Sequence, residues 1–301
     1  MNDHSKQTSV NSRRSFIAGF GGVLAAAAAL TKTAFGGRLK RESLLVPASP
    51  AMPRYTEHHI PRDGVSLHVE DYGGGKPVLL LHGWPDSSYL WRNQIPFLLA
   101  NGFRAIAPDQ RGFGRSDRPE GVAAYSLQNA VADVLGVLDA LGIDAADIVA
   151  HDWGAAVAWL TATVHPNRVR RLVVLSVPHP LAPYTLRQRE MAWYMLFFQF
   201  EGIAEAWLQR DDWALFREML LGNGDIDRYI SDLSRPDALK ASLNWYRANL
   251  APRLPAPPPK LPPVEAPTLG IWSSNDHYLD GERMKMSGQI RESTVALRAD
   301  Q

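Results

Sequence analysis

The chain has 301 residues, 46% apolar and 21% charged, a balance that supports a full buried core in one large or two smaller domains. A formal net charge of +1 excludes a field strong enough to gather nucleic acid or anionic lipid, so neither is expected as a partner. The lack of cysteine excludes disulfides, thiol nucleophiles and thiolate metal ligands, and it is compatible with an oxidising compartment.

In chain order the first signal is Ser12-Arg13-Arg14-Ser15-Phe16-Ile17, followed by an apolar stretch from Ala18 to Leu30 and then Lys32. A basic polar segment ahead of a short, weakly hydrophobic core is the pattern of a signal peptide. The paired arginines with Phe16 after them resemble the twin-arginine export signal of bacteria. The stretch is short for a membrane span. Residues 1–48 are therefore expected to be a signal peptide and linker, cleaved at Ala34-Phe35-Gly36 or Val46-Pro47-Ala48. The mature chain is then expected to be periplasmic or secreted, in transient contact with the export machinery and free of the membrane. An Ala-rich surface helix is the other reading of the same residues.

From about Tyr55 short apolar runs alternate with helical periods. Val78-Leu-Leu-Leu81 reads as a buried strand entering the loop at His82-Gly83, and Phe103-Arg-Ala-Ile-Ala107 as a second strand ending at Pro108-Asp109. Leu127, Val131, Val134, Leu138 and Leu141 recur at steps of three and four, one apolar helix face closed by Gly142. Asp147-Ile-Val-Ala150 is strand-like, 155–164 helical, and Arg171-Leu-Val-Val-Leu175 a strand again. This alternation predicts an α/β fold, a mostly parallel sheet with helices on both faces. After Pro178-His-Pro180 the residues to about 250 are aromatic-rich and helical, and a run of prolines from Pro252 to Pro263 follows. The last strand read with them is Thr268-Leu-Gly-Ile-Trp272. The expected organisation is core over 49–180, an inserted helical cap and connector over 181–260, and core again over 261–301.

The chemistry centres on Asp152 in Ala150-His151-Asp152-Trp153-Gly154, between a strand and a helix. Small residues two before and two after permit the strained turn that lifts a nucleophile above a sheet. A carboxylate suits displacement at saturated carbon, which gives an alkyl-enzyme ester. The other reading of Asp152 is a cap for the following helix. His82-Gly83-Trp84-Pro85 follows the Leu-rich strand, so the N–H groups of Trp153 and Trp84 are the expected oxyanion donors. A turn with a structural histidine is the alternative there.

His82-Gly-Trp-Pro85, Asp109-Gln-Arg-Gly-Phe-Gly-Arg-Ser-Asp117, His151-Asp-Trp-Gly154 and Ser176-Val-Pro-His-Pro180 together resemble the epoxide hydrolases of the α/β-hydrolase fold, over about residues 55–286. The resemblance implies conversion of a small apolar epoxide to a vicinal diol, without cofactor or metal. It implies that cap residues Tyr194 and Tyr246 donate to the epoxide oxygen, and that Asp276, in Ser273-Ser-Asn-Asp276-His277, is the relay acid. His82, Trp84, Trp153 and Phe198 are expected to contact substrate. A haloalkane dehalogenase is the first rival, disfavoured because that family usually holds halide with Asn where Trp84 stands. A ligand binder that does not turn over, or a degenerate hydrolase, is the second.

The family also implies a catalytic histidine beyond Asp276, followed by an aromatic residue. None of the nine histidines lies beyond His277, and after Ser287-Gly-Gln289 the chain ceases to resemble the family. The expectation is a truncation or shifted frame near residue 290, with the last strand and helix missing, or a remnant strand over 293–297. Alkylation of Asp152 without efficient hydrolysis is then expected.

Overall fold

The computed structural model describes residues 52–250, 261–289 and 294–299. The export signal expected over 1–48 and most of the Pro-rich connector lie outside the described residues. Among the described residues no helix is long and apolar enough to cross a membrane.

Strands β1 (Thr56–Arg62) and β2 (Val65–Tyr72) form an antiparallel hairpin that the sequence pattern above does not place. Its two-residue turn is Asp63-Gly64, both at positive φ (47° and 78°), as such a turn requires. The remaining strands are β3 (Lys76–Leu81), β4 (Phe103–Pro108), β5 (Ala146–His151), β6 (Val169–Leu175), β7 (Thr268–Ser273) and β8 (Thr294–Ala299). They make one eight-stranded sheet in the order β1-β2-β4-β3-β5-β6-β7-β8, in which β3 to β8 pair in parallel.

The expectation of a missing last strand is corrected by β8. Thr294–Ala299 pairs along its whole length with Thr268–Ser273, close to the remnant expected over 293–297. Its Thr-Val-Ala-Leu-Arg-Ala alternation suits an extended segment, and it satisfies the backbone groups along β7.

Successive strand residues point to opposite faces, and the core divides accordingly. Leu79, Leu81, Ile148, Ala150 and Val174 join the cluster under helices α2 (Leu127–Ala140) and α3 (Trp153–Val164). Val78, Leu80, Val149 and Val173 join the other, with Trp91, Ile95 and Leu98 on and beside helix α1 (Gln94–Ala100). Burial on both faces is why these strands read as continuous apolar runs. Ser126 caps α2 by accepting from Asn129 N–H at 3.3 Å, and Gly142, at φ 66°, reverses the chain after it.

Between β6 and β7 the described residues form helices and no strand. These are α4 (Leu186–Met191), α5 (Trp193–Phe197), α6 (Ile203–Met219), α7 (Ile226–Leu233) and α8 (Ala238–Leu250). Helix α6 is broken at Arg210–Trp213, where Asp211, Asp212 and Trp213 take left-handed backbone. The Trp245 indole N–H donates to the Arg111 carbonyl at 3.1 Å, which seats α8 on the loop after β4. Helix α9 (Gly281–Gln289) follows β7.

Candidate active site

The site starts with a backbone conformation. Between β5 and α3, Asp152 adopts φ 52°, ψ −125°, a region costly for a residue with a Cβ. The surroundings enforce it: Ala155 and Ala156 N–H both bond the Asp152 carbonyl, at 2.9 and 3.2 Å. A Cβ on Gly154 would lie 2.3 Å from the Leu81 carbonyl oxygen, so only glycine lets α3 start this close to the end of β3. The turn thereby raises the Asp152 side chain off the sheet. Its carboxylate lies deep, while the residue as a whole keeps partial exposure.

The loop after β3 meets it. Trp84 N–H donates to Asp152 Oδ1 at 2.7 Å, and the Trp153 N–H also bonds the carboxylate. A Cβ on Gly83 would fall 2.3 Å from Asp152 Oδ1 and 2.6 Å from the Trp153 nitrogen, so the motif's glycine is a matter of space. Burial raises the Asp152 pKa above the ordinary carboxylate value; the neighbouring His151 and the two N–H groups oppose this, and Asp276 adds to it.

Tyr194 and Tyr246 converge from the cap, 6% and 2% exposed, with ring centroids 5.9 Å apart. Tyr246 packs edge-on to Trp153 at 5.1 Å and to Trp84 at 6.2 Å. Both phenols have pKa values raised well above the ordinary one, first by burial and then by the charge of Asp152. They are therefore held as neutral O–H donors beside a carboxylate.

Asp276 follows β7, and its Oδ1 accepts from the N–H groups of Tyr278 (2.8 Å) and Leu279 (2.9 Å). Its charge reaches both Asp152 and Tyr194. His277 is exposed. Among the described residues no histidine hydrogen-bonds Asp276: His58, His68, His82 and His179 all bond elsewhere.

Two residues expected to contact substrate are set behind the site instead. His82 is fully buried, and its Nε2 accepts from Gln110 N–H at 3.0 Å, so its proton sits on Nδ1 and is donated to the Gly83 carbonyl at 3.1 Å. Burial pushes its pKa down, consistent with a neutral ring that pins the loop and has no nitrogen left for a ligand. Phe198 is also fully buried, against Trp84 (5.3 Å), Tyr194 (5.6 Å) and Tyr246 (4.9 Å), and it backs these rings. The sequence pattern missed Ser242, whose Oγ accepts from the Trp84 indole at 3.2 Å, and the pair Asp86–Tyr229. Ser242 stands four residues before Tyr246 on α8, the helical spacing that could have flagged it. Among the described residues no group of three or more His, Cys, Asp or Glu side chains is placed to hold a metal ion.

A strand–elbow–helix carrying a carboxylate under two backbone N–H groups defines a class, and comparison agrees with it. Residues 76–289 match the family model of the alpha/beta hydrolase fold, and the chain belongs to that family. Within it, the chain is an epoxide-hydrolase-like hydrolase. Epoxide hydrolase A of Mycobacterium tuberculosis is 41% identical over 237 residues, covering 64% of this chain and 73% of that protein. The AB hydrolase superfamily protein YfhM of Bacillus subtilis is 35% identical over 238 residues, covering 74% of this chain and 82% of that one. A solved structure described as one of the novel epoxide hydrolases from metagenomes of hot environments superposes with a TM-score of 0.73 at 30% identity, covering 83% of this chain and 92% of its own.

Proposed function

We propose that this chain opens epoxides with Asp152 as the nucleophile and Tyr194 and Tyr246 as the acids. The observation that carries the reading is the meeting of one carboxylate, two N–H donors and two neutral phenols at one place. A carboxylate oxygen of Asp152 attacks an oxirane carbon and the carbon–oxygen bond breaks. The electron pair stays on the departing oxygen, which takes a proton from Tyr194 or Tyr246. The product is a hydroxyalkyl ester of Asp152. The developing alkoxide explains why two phenols, and not an apolar wall, face the nucleophile. The position of Asn in halide-binding relatives is filled here by Trp84, whose indole is tied to Ser242, so a halide leaving group has less to hold it.

Release as a diol requires water to attack the ester carbonyl, with the oxyanion held by the Trp84 and Trp153 N–H groups and a base taking the water's proton. Asp276 lies in range to orient such a base, and no histidine among the described residues occupies that place. The proposal for this polypeptide is therefore fast alkylation and slow release, since losing a triad base removes several orders of magnitude of rate. Intact mass spectrometry after incubation with styrene oxide tests it. One adduct per chain, absent in Asp152→Ala, is the expected result; an unmodified chain overturns the nucleophile, and repeated diol formation overturns slow release.

Export through the twin-arginine route to the periplasm is a further proposal, resting on Arg13-Arg14 and the apolar stretch after them. A reporter fused after residue 60 is expected in the periplasm, and an Arg13→Lys, Arg14→Lys variant in the cytoplasm; equal distribution of both overturns it.

A further inference from the structure

We propose that Asp86 is a positioning residue: it ties the loop carrying the Trp84 N–H to cap helix α7, so that seating of the cap sets the geometry at Asp152. The inference rests on the epoxide-opening reading above for its effect on rate.

The loop from His82 to Ser88 is anchored on two sides. On the core side, His82 bonds Gln110, and Ser88 N–H donates to Asp109 Oδ1 at 2.7 Å. On the cap side the anchors are side chains. The Trp84 indole donates to Ser242 of α8 at 3.2 Å, and the Tyr229 hydroxyl of α7 donates to Asp86 Oδ2 at 2.8 Å. Asp86 also closes the turn that holds Trp84, because its own N–H donates to the Gly83 carbonyl at 2.9 Å. A cap helix and the residue two positions after Trp84 therefore share one buried hydrogen bond.

The rest of the seam is polar as well. Arg92, in the 3-10 helix Ser88–Asn93, pairs with Asp225 just before α7 at 2.6 Å. The guanidinium groups of Arg92 and Arg228 lie 4.2 and 3.7 Å from the centre of the Tyr89 ring. The groups that face the Asp86 carboxylate are the Tyr229 hydroxyl, the Ser87 N–H (2.8 Å to Oδ1), Asp225 and Arg92. Burial and Asp225 push its pKa up, the two hydrogen bonds and Arg92 pull it down, and burial wins, leaving it at about 6. Both bonds are received by the ionised form. Protonation on Oδ2 leaves the Ser87 bond in place and reverses the Tyr229 bond, which then joins two neutral groups and loses its charge assistance, so the link to α7 weakens on acidification.

The test compares wild type, Asp86→Asn and Tyr229→Phe. Single-turnover alkylation by styrene oxide is followed between about pH 5 and 8, a range that spans the Asp86 value of about 6. Asp86→Asn is expected to slow alkylation by about tenfold, less than the loss of an oxyanion donor outright, with the substrate dependence of the rate unchanged. The acid limb is expected to carry a proton from Asp86 in wild type that is missing from Asp86→Asn, so the limb should be steeper in wild type. Tyr229→Phe should lower the rate in the same direction. Independently of chemistry, exchange of the Trp84 amide proton should speed up at least several-fold in Tyr229→Phe. Folded variants with wild-type rates and the wild-type acid limb overturn the proposal, as does unchanged Trp84 exchange. Failure of wild type to form an adduct overturns the function reading instead, and the exchange measurement then decides this inference alone.

Discussion

The Trp84 N–H lies 2.7 Å from Oδ1 of Asp152, across 68 positions of sequence. Neither residue is held there by local preference. Asp152 sits at positive φ because α3 starts against the end of β3, and Trp84 reaches it because Gly83 leaves room for nothing larger than hydrogen. In the proposed reaction this contact orients the nucleophile in the attack and becomes half of the oxyanion hole once the ester forms.

Gly83→Ala tests that space. The added Cβ would meet both the Asp152 carboxylate and the Trp153 nitrogen well inside contact distance, so one of them must move. Alkylation by styrene oxide is expected to fall by about 10²-fold, the scale of an ångström's misplacement at a reacting centre. Circular dichroism should show a folded chain. A rate within a factor of about three of wild type would show the loop to be more forgiving than its packing indicates.

In the proposed reaction the two tyrosines donate to the epoxide oxygen as the carboxylate attacks. Tyr246→Phe and Tyr194→Phe each remove one proton donor while keeping the ring that packs against Phe198. Each is expected to slow alkylation by about 10²-fold, and the double variant by more, with little change in melting temperature. Single-turnover kinetics separates this from a folding defect. Equal rates in wild type and both single variants would place the acid elsewhere.

A third expectation concerns stability and comes from outside the site. His179 is buried against Trp159 at 5.0 Å, its Nδ1 accepts from Leu181 N–H, and burial lowers its pKa from 6.5 to about 4. As pH falls the unfolded chain takes up the proton first. The stability contributed by the neutral ring is therefore complete above the unfolded value and is lost between about pH 6.5 and about 4, by roughly 1–2 kcal/mol. Urea midpoints near pH 7 and at about pH 4.5 measure this. The gap between them should narrow in His179→Gln, and an unchanged gap would assign the acid sensitivity to other groups.

Legibility in the sequence followed burial. Strands β3 to β7 were readable because both faces are covered, and α2 because Val131, Val134 and Leu138 repeat on one face. The β1–β2 hairpin was not, since the half-exposed His58, the exposed His59 and other exposed residues dilute its alternation, although Val65, Leu67 and Val69 with Asp63-Gly64 do carry the signal. At the site, residue types were legible and directions were not. The motif places a histidine at position 82 but does not say that both its nitrogens turn into the core. The bond from Tyr229 to Asp86 spans 143 positions, and no local pattern announces such a pairing.

The central claim, a carboxylate nucleophile that forms an alkyl ester, is tested most directly by intact mass spectrometry with peptide mapping after exposure to styrene oxide. A single adduct on the peptide containing Asp152 is expected, persisting for many minutes and absent in Asp152→Ala. An adduct on another residue, or diol production by Asp152→Ala at the wild-type rate, would contradict it.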